Sequence, residues 1–97
     1  MKSLELDRVF HQPIRTKIVS LLVNSRECDY TTIKKTCDLS DGLMTTHMKE
    51  LVGAGYVEVK KEFIDNKPRT TYSLSSEGKK KFKEYIENLK ELIGGNK

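Results

Sequence analysis

The chain has 97 residues, with 18 lysines and arginines against 14 aspartates and glutamates and a formal net charge of +4. This length allows one small domain. About a quarter of the residues are Leu, Ile, Val or Phe, which is enough for a compact but small core. Because a second copy of the chain would bury additional apolar surface, we expect a dimer.

Several classes of protein are disfavoured. No apolar run approaches the roughly 18 residues of a membrane span, and residues 1–10 lack the apolar region of a signal peptide. We therefore expect a cytoplasmic protein that is neither membrane-inserted nor secreted, with Cys28 and Cys37 as reduced thiols. With only His11 and His47, and with no phosphate-binding glycine loop or nucleophile elbow, we expect no enzyme, metal or cofactor.

Three helices are predicted in the first half of the chain. The first begins at Pro13, whose missing N–H suits a first helical turn, and runs to about Val23. The polar, turn-like residues 25–29 end in an N-cap aspartate that opens a short second helix. The third helix follows the N-cap Ser40, repeats apolar residues at i, i+4 and i+7, and ends at residues 53–55. Two helices spaced in this way are typical of a helix-turn-helix.

A β-hairpin and a closing helix are predicted in the second half. Val57 and Val59 alternate with charged residues, and after a turn at 65–68 the segment 70–74 is rich in strand-forming residues. Ser75 or Ser76 then caps a final helix. Its large apolar residues repeat every seven positions, which lets a helix lie along another helix: Phe82, Tyr85, Ile86, Leu89, Leu92 and Ile93.

This order of elements is that of a winged helix. Residues 29–33, 39–51, 55–57 and 68–78 resemble the small winged-helix transcriptional regulators related to the MarR and ArsR groups, over roughly residues 13–93. The specific features are a serine-capped third helix with His-apolar-Lys-x-Leu, the exit AGYV and the strand PRTTYSLSSEG. The resemblance implies an α+β, mainly helical winged helix-turn-helix that binds double-stranded DNA as a homodimer, usually to repress transcription, in a prokaryotic cytoplasm.

The resemblance also divides the chain and limits what it binds. We expect one domain over 1–97, made of an N-terminal arm (1–12), a winged helix-turn-helix core (13–74) and a C-terminal dimerisation helix (75–93). The Cys-x-Cys motif of ArsR-type metal sensors does not occur here, so metal sensing is not expected. MarR-type proteins are usually longer, which leaves this chain little room for an effector pocket.

Candidate DNA contacts lie on the third helix and at the hairpin tip. Threonines can exchange hydrogen bonds with bases or phosphates, Gly42 permits close backbone approach, and a hairpin tip can reach the adjacent minor groove. For His47, at the edge of the core, we favour packing or a phosphate hydrogen bond over pH sensing. The candidates are Ser40, Asp41, Gly42, Leu43, Thr45, Thr46, His47, Lys49, Asn66, Lys67 and Arg69.

A dimer interface is predicted on the final helix and the N-terminal arm. Six large apolar residues within twelve positions exceed what a small core is expected to absorb. A symmetric dimer would hold two third helices about 34 Å apart and read a palindromic site. The predicted interface is Leu4, Leu6, Val9, Phe10, Phe82, Tyr85, Ile86, Leu89, Leu92 and Ile93. The alternative function is a protein-interaction module that uses Leu43 and the weakly charged third helix.

Overall fold

The computed structural model describes residues 5–94 and contains four helices and three strands within that range. The predicted order of three helices, a hairpin and a closing helix is confirmed, and so is the mainly helical winged-helix class. No helix within 5–94 is both long enough and apolar enough to cross a membrane. In chain order the elements are α1 (Pro13–Val23), β1 (Cys28–Asp29), α2 (Tyr30–Thr36), α3 (Asp41–Gly53), β2 (Val57–Ile64), β3 (Lys67–Leu74) and α4 (Ser76–Gly94).

Short polar side chains start the helices where the sequence predicts. Asp29, Ser40 and Ser75 each accept a hydrogen bond from the backbone N–H three residues later, at 2.8, 3.1 and 2.9 Å. These bonds satisfy N–H groups that have no partner inside the helix. Pro13 occupies the first turn of α1 as predicted. The starts of α1, α2, α3 and α4 are therefore encoded locally.

The sheet has one more strand than predicted. Cys28 and Asp29, expected in a turn, form β1 and pair antiparallel with Tyr72 and Thr71 of β3, which gives the strand order β1-β3-β2. The prediction of a turn here was wrong, because a strand of two residues is too short to show any alternation.

The hairpin is longer than predicted and its turn is tighter. Strands β2 and β3 pair continuously from Val57 opposite Leu74 to Ile64 opposite Lys67. Only Asp65 and Asn66 connect them, with φ angles of 53° and 63°. Positive φ at both central residues is the geometry of a type I′ turn, which matches the twist of paired strands.

One core joins all the elements, including the segment before α1. Phe10 is fully buried, and its ring stacks on Tyr56 with centroids 4.6 Å apart and meets Phe82 edge-on at 5.0 Å. Asp7 accepts a hydrogen bond of 2.6 Å from the Tyr56 hydroxyl. Burial, followed by this bond, raises the pKa of Tyr56 to about 12. The segment preceding Pro13 is therefore packed against the domain.

This packing corrects part of the predicted dimer interface. Phe10, Phe82 and Tyr85 are buried inside the chain itself, because the aromatic side chains of α4 pack against Phe10. Four more predicted residues are partly buried against the core: Leu6, Val9, Ile86 and Leu89. Leu92 and Ile93 remain 49% and 77% exposed, and Leu4 lies outside the described residues.

Candidate nucleic-acid interface

Helix α3 has one buried face and one exposed face. Its buried residues are Met44, His47, Met48 and Leu51, and they anchor the helix to the core. Gly42, Thr46 and Lys49 follow at spacings of four and three residues along the middle of the opposite face. The predicted residues Ser40, Asp41, Leu43 and Thr45 are exposed as well. The exposed face of α3 therefore carries small, hydrogen-bonding and cationic groups, while its opposite face is fixed to the core.

Asp41 is engaged within the chain. Its carboxylate accepts a hydrogen bond of 2.8 Å from the Tyr30 hydroxyl and lies 3.0 Å from the Lys34 Nζ. The bond from Tyr30, followed by Lys34, lowers the pKa of Asp41. Asp41 therefore ties the start of α3 to α2 while its side chain remains 73% exposed, and Lys34 offsets a charge that would repel a phosphate. Its role as a DNA contact stays a prediction.

His47 lies on the buried face of α3 and is 9% exposed, a position that favours the packing role over the DNA contact, the two roles considered for it from the sequence. Its Nδ1 lies 3.1 Å from the Arg15 Nη1, and the Arg15 Nε donates a 2.6 Å hydrogen bond to the Val9 carbonyl. Burial, followed by the charge of Arg15, lowers the pKa of His47, against a smaller opposing effect of Glu50. A neutral imidazole that accepts from Arg15 fits this environment. It links α3 to the segment before α1.

The three predicted hairpin contacts occupy different environments. Asn66 is in the turn, and Lys67 is the exposed first residue of β3. Arg69 lies further from the tip than predicted, and its Nη2 is 3.7 Å from the carboxylate of Asp29. Because the Arg69 side chain remains 49% exposed, this ion pair orients a guanidinium that is still open to solvent.

Two charged residues near α3 were not singled out from the sequence. Glu50 is an exposed acid on α3, and Lys61 lines a groove between α3 and the hairpin together with Thr45, Lys49 and Val59. A signal for Lys61 was present, since it is two positions from Val59 and residues two apart in a strand share a face. Its proximity to α3 follows only from the tertiary structure.

The described residues show no metal site and no pair of exposed thiols. Among residues 5–94, no three His, Cys, Asp or Glu side chains lie close enough together to hold a metal ion. Cys28 and Cys37 are buried free thiols, and burial raises the pKa of Cys37. A thiol of this kind behaves as a small apolar core residue.

A helix-turn-helix with an exposed second helix, followed by a hairpin wing, defines a winged-helix DNA-binding protein. Residues 14–93 match the family described as winged helix DNA-binding domain, and the chain belongs to this family. It is a winged-helix transcriptional regulator by class, and this class is generally not enzymatic.

Proteins similar to this chain come from several organisms. The chain is 32% identical over 85 residues to an uncharacterized protein of Methanocaldococcus jannaschii, covering 88% of this chain and 92% of that one. A transcriptional regulator homologue from Pyrococcus horikoshii superposes with a TM-score of 0.85 at 28% identity, covering 92% of this chain and 88% of that one.

More distant regulators share the fold alone. A MarR-family regulator from Porphyromonas gingivalis has a TM-score of 0.70 at 23% identity, covering 92% of this chain and 86% of that one. ArsR-family regulators are also among the structural neighbours. The predicted resemblance to both groups is confirmed.

Proposed function

We propose that the chain binds specific sequences of double-stranded DNA as a homodimer and represses transcription in the cytoplasm. The exposed face of α3 carries this proposal: Gly42, Thr46 and Lys49 project from a helix whose other face is buried. A B-DNA major groove admits an α-helix, and threonine can bond either bases or phosphates there. Gly42 allows the backbone near the start of α3 to come close to the duplex.

The wing supplies contacts beside the major groove. Lys67 is exposed near the tip and Arg69 is oriented by Asp29 on the neighbouring strand. Cations placed over a minor groove gain from its negative potential. In this arrangement α3 selects the sequence, and the cations Lys67 and Arg69 of the wing add affinity that depends little on sequence.

The end of α4 supports pairing with a second copy. Leu92 and Ile93 are 49% and 77% exposed at the end of this helix, next to the partly buried Ile86 and Leu89. A second α4 would cover these side chains in a two-fold dimer. Two α3 helices about one DNA turn apart would then read a palindromic operator.

Selection of bound sequences from a random duplex pool tests the sequence-specific binding by a homodimer. We expect a site with two similar half-sites in inverted orientation, separated by about one helical turn. We also expect affinity to fall steeply with salt, because each neutralised phosphate adds about 0.9 to the slope of log affinity against log salt. An affinity that does not change with salt, or a selected site that contains a single half-site, would contradict the proposal.

Two substitutions separate the roles of α3 and the wing. Thr46→Ala is expected to change which sequences are recovered. Arg69→Ala removes one cation from each protomer, so it is expected to weaken all duplexes about equally and to reduce the salt slope of the dimer by about two units. Lys83→Ala, which removes one cation from α4, is the control and should change neither measurement. The opposite behaviour of Thr46→Ala and Arg69→Ala would reverse the assigned roles.

A protein-interaction module is the second candidate function. It is favoured by the composition of α3, whose only cation is Lys49 and on which Leu43 is 42% exposed. A mobility-shift experiment with random genomic duplex at low salt distinguishes the two functions. Retardation supports DNA binding, since sequence-independent attraction persists at low salt, and its complete absence supports the interaction module.

A further inference from the structure

The outer half of the wing exposes apolar side chains that nothing in residues 5–94 covers. Near the core, Val57, Tyr72 and Leu74 are buried, but toward the tip Phe63 is 76% exposed and Ile64 is 42% exposed. The hairpin residues nearest the helices are therefore part of the core, whereas the residues toward the tip extend beyond it. A phenylalanine this exposed, on an ordered strand, is the largest uncovered aromatic group among the described residues.

Phe63 lies on a face of the hairpin that carries no acid. Alternation along β2 and the register of Phe63 opposite Pro68 place eight residues on this face, which we call the inner face. Its only charged member is Lys61, since Glu58 and Glu62 point to the other side. The members are Val57, Val59, Lys61, Phe63, Pro68, Thr70, Tyr72 and Leu74.

The inner face is turned toward α3. Val59 and Lys61 line the same groove as Thr45 and Lys49 of that helix, and Phe63 continues their row by one further strand repeat toward the tip. If α3 lay in a major groove, Phe63 would therefore face the same duplex, next to the bases that α3 contacts. Lys61 lies between α3 and Phe63 and would face the phosphates there.

The wing tip is held in a defined position. An unbroken ladder runs to Ile64 opposite Lys67, and the type I′ turn leaves only Asp65 and Asn66 outside it. A strand of eight residues spans about 26 Å at roughly 3.3 Å per residue. Phe63 is therefore presented near the end of a paired hairpin and not on a loose loop.

We infer that Phe63 is a wedge that enters the minor groove flanking the α3 site, partly unstacks a base step and bends the DNA. This inference rests on the proposed DNA-binding function and assigns an additional specificity residue to it. A charged phosphate surface offers nothing that covers a phenyl ring, whereas a base step does. Apolar side chains inserted from the minor groove unstack such steps and bend duplexes by about 20–90°.

A wedge also makes the protein sensitive to bases that it does not bond. Pyrimidine–purine steps unstack at lower cost than other steps. The selected operator is accordingly expected to carry such a step in each flank, at the position reached by the wing.

The bend of the selected duplex tests the role of Phe63. Energy transfer between dyes at the two DNA ends should report a bend with the unaltered protein and a much smaller one with Phe63→Ala. Affinity should fall roughly ten- to hundred-fold, the range seen when an aromatic group stacked on a base is removed. Ile64→Ala, on the opposite face of the same strand, is the matched control and should retain the bend. If Phe63→Ala and Ile64→Ala bend the DNA to the same extent, the inference is overturned.

A fluorescent variant reports insertion directly. The chain contains no tryptophan, so Phe63→Trp introduces a single indole at the proposed wedge. Binding of the selected duplex should quench its emission and protect it from acrylamide, while the bend is retained. An indole that stays fully accessible to acrylamide in the complex would overturn the inference.

The acid in the turn serves as a local probe. If the tip enters the minor groove, Asp65 lies close to the DNA, and Asp65→Asn should tighten binding several-fold at low salt. Unchanged affinity would place the tip away from the duplex and overturn the inference. The proposed function fails separately, when the unaltered protein retards no duplex at low salt; binding without a bend refutes the wedge alone.

Discussion

Gly78, in the first turn of α4, lies so close to the backbone of Tyr56 that a single added methyl group should lower the stability of the protein. A Cβ on Gly78 would lie 2.1 Å from the carbonyl oxygen of Tyr56 and 2.9 Å from the carbonyl carbon. These are backbone atoms, which cannot rotate away as a side chain can. The same oxygen accepts a hydrogen bond of 3.0 Å from the N–H of Ser75.

The expected loss in the free energy of unfolding follows from these distances. A Cβ needs more than 3 Å from such an oxygen, so Gly78→Ala must displace α4 from Tyr56 by about 1 Å. Overpacking of this kind costs about 1–3 kcal/mol. Loss of the bond from Ser75 costs about 1 kcal/mol more, and the better helix propensity of alanine returns up to about 1 kcal/mol. We expect a net loss of about 1–3 kcal/mol.

Thermal or urea unfolding followed by circular dichroism measures this loss. For a chain of this size each kcal/mol lowers Tm by about 4–8 °C. Gly53→Ala is the matched control, because a Cβ at that helical glycine meets no atom within 4 Å; it should keep or slightly raise the stability. A Gly78→Ala protein as stable as Gly53→Ala would refute the close approach.

Two further substitutions test α3. At Gly42 a Cβ has only the Ser40 Oγ near it, at 3.9 Å, so Gly42→Ala should retain Tm yet weaken the selected duplex by about ten-fold; unchanged affinity would mean that DNA does not approach this residue. Because burial and Arg15 lower the pKa of His47 in the folded chain, its contribution to stability is present above about pH 6.5, the ordinary histidine value. That contribution is lost as the pH falls through the lower pKa of the folded state. His47→Gln can still accept from Arg15 and should unfold with a flatter pH dependence between pH 7 and 5; an identical dependence would contradict the arrangement.

Local patterns in the sequence are sufficient for most of the architecture. The caps at Asp29, Ser40 and Ser75, the helical spacing of apolar residues in α3 and the alternation in β2 each depend on residues within one or two turns of one another. Such interactions are formed within a segment, so the segment alone predicts them. The outward orientation of Thr46 and Lys49 follows from the same spacing.

Contacts between distant segments are not visible in those patterns. Phe10 meets Phe82, Arg15 meets His47, and Tyr30 bonds Asp41 across separations of 72, 32 and 11 residues. The strand β1 exists only because β3 lies beside it. Without these partners, Phe82 is interpreted as a dimer contact, and the hydrogen bond that engages Asp41 is not predicted.

The sequence by itself thus determined the order of the four helices and the hairpin, the starting residues of the helices and the exposed face of α3. Only the tertiary structure decided which exposed-looking side chains are already occupied within the chain and which, such as Phe63, extend beyond the core. The physical reason is that burial depends on what the rest of the chain brings to each surface, whereas periodicity reports only that a face is apolar.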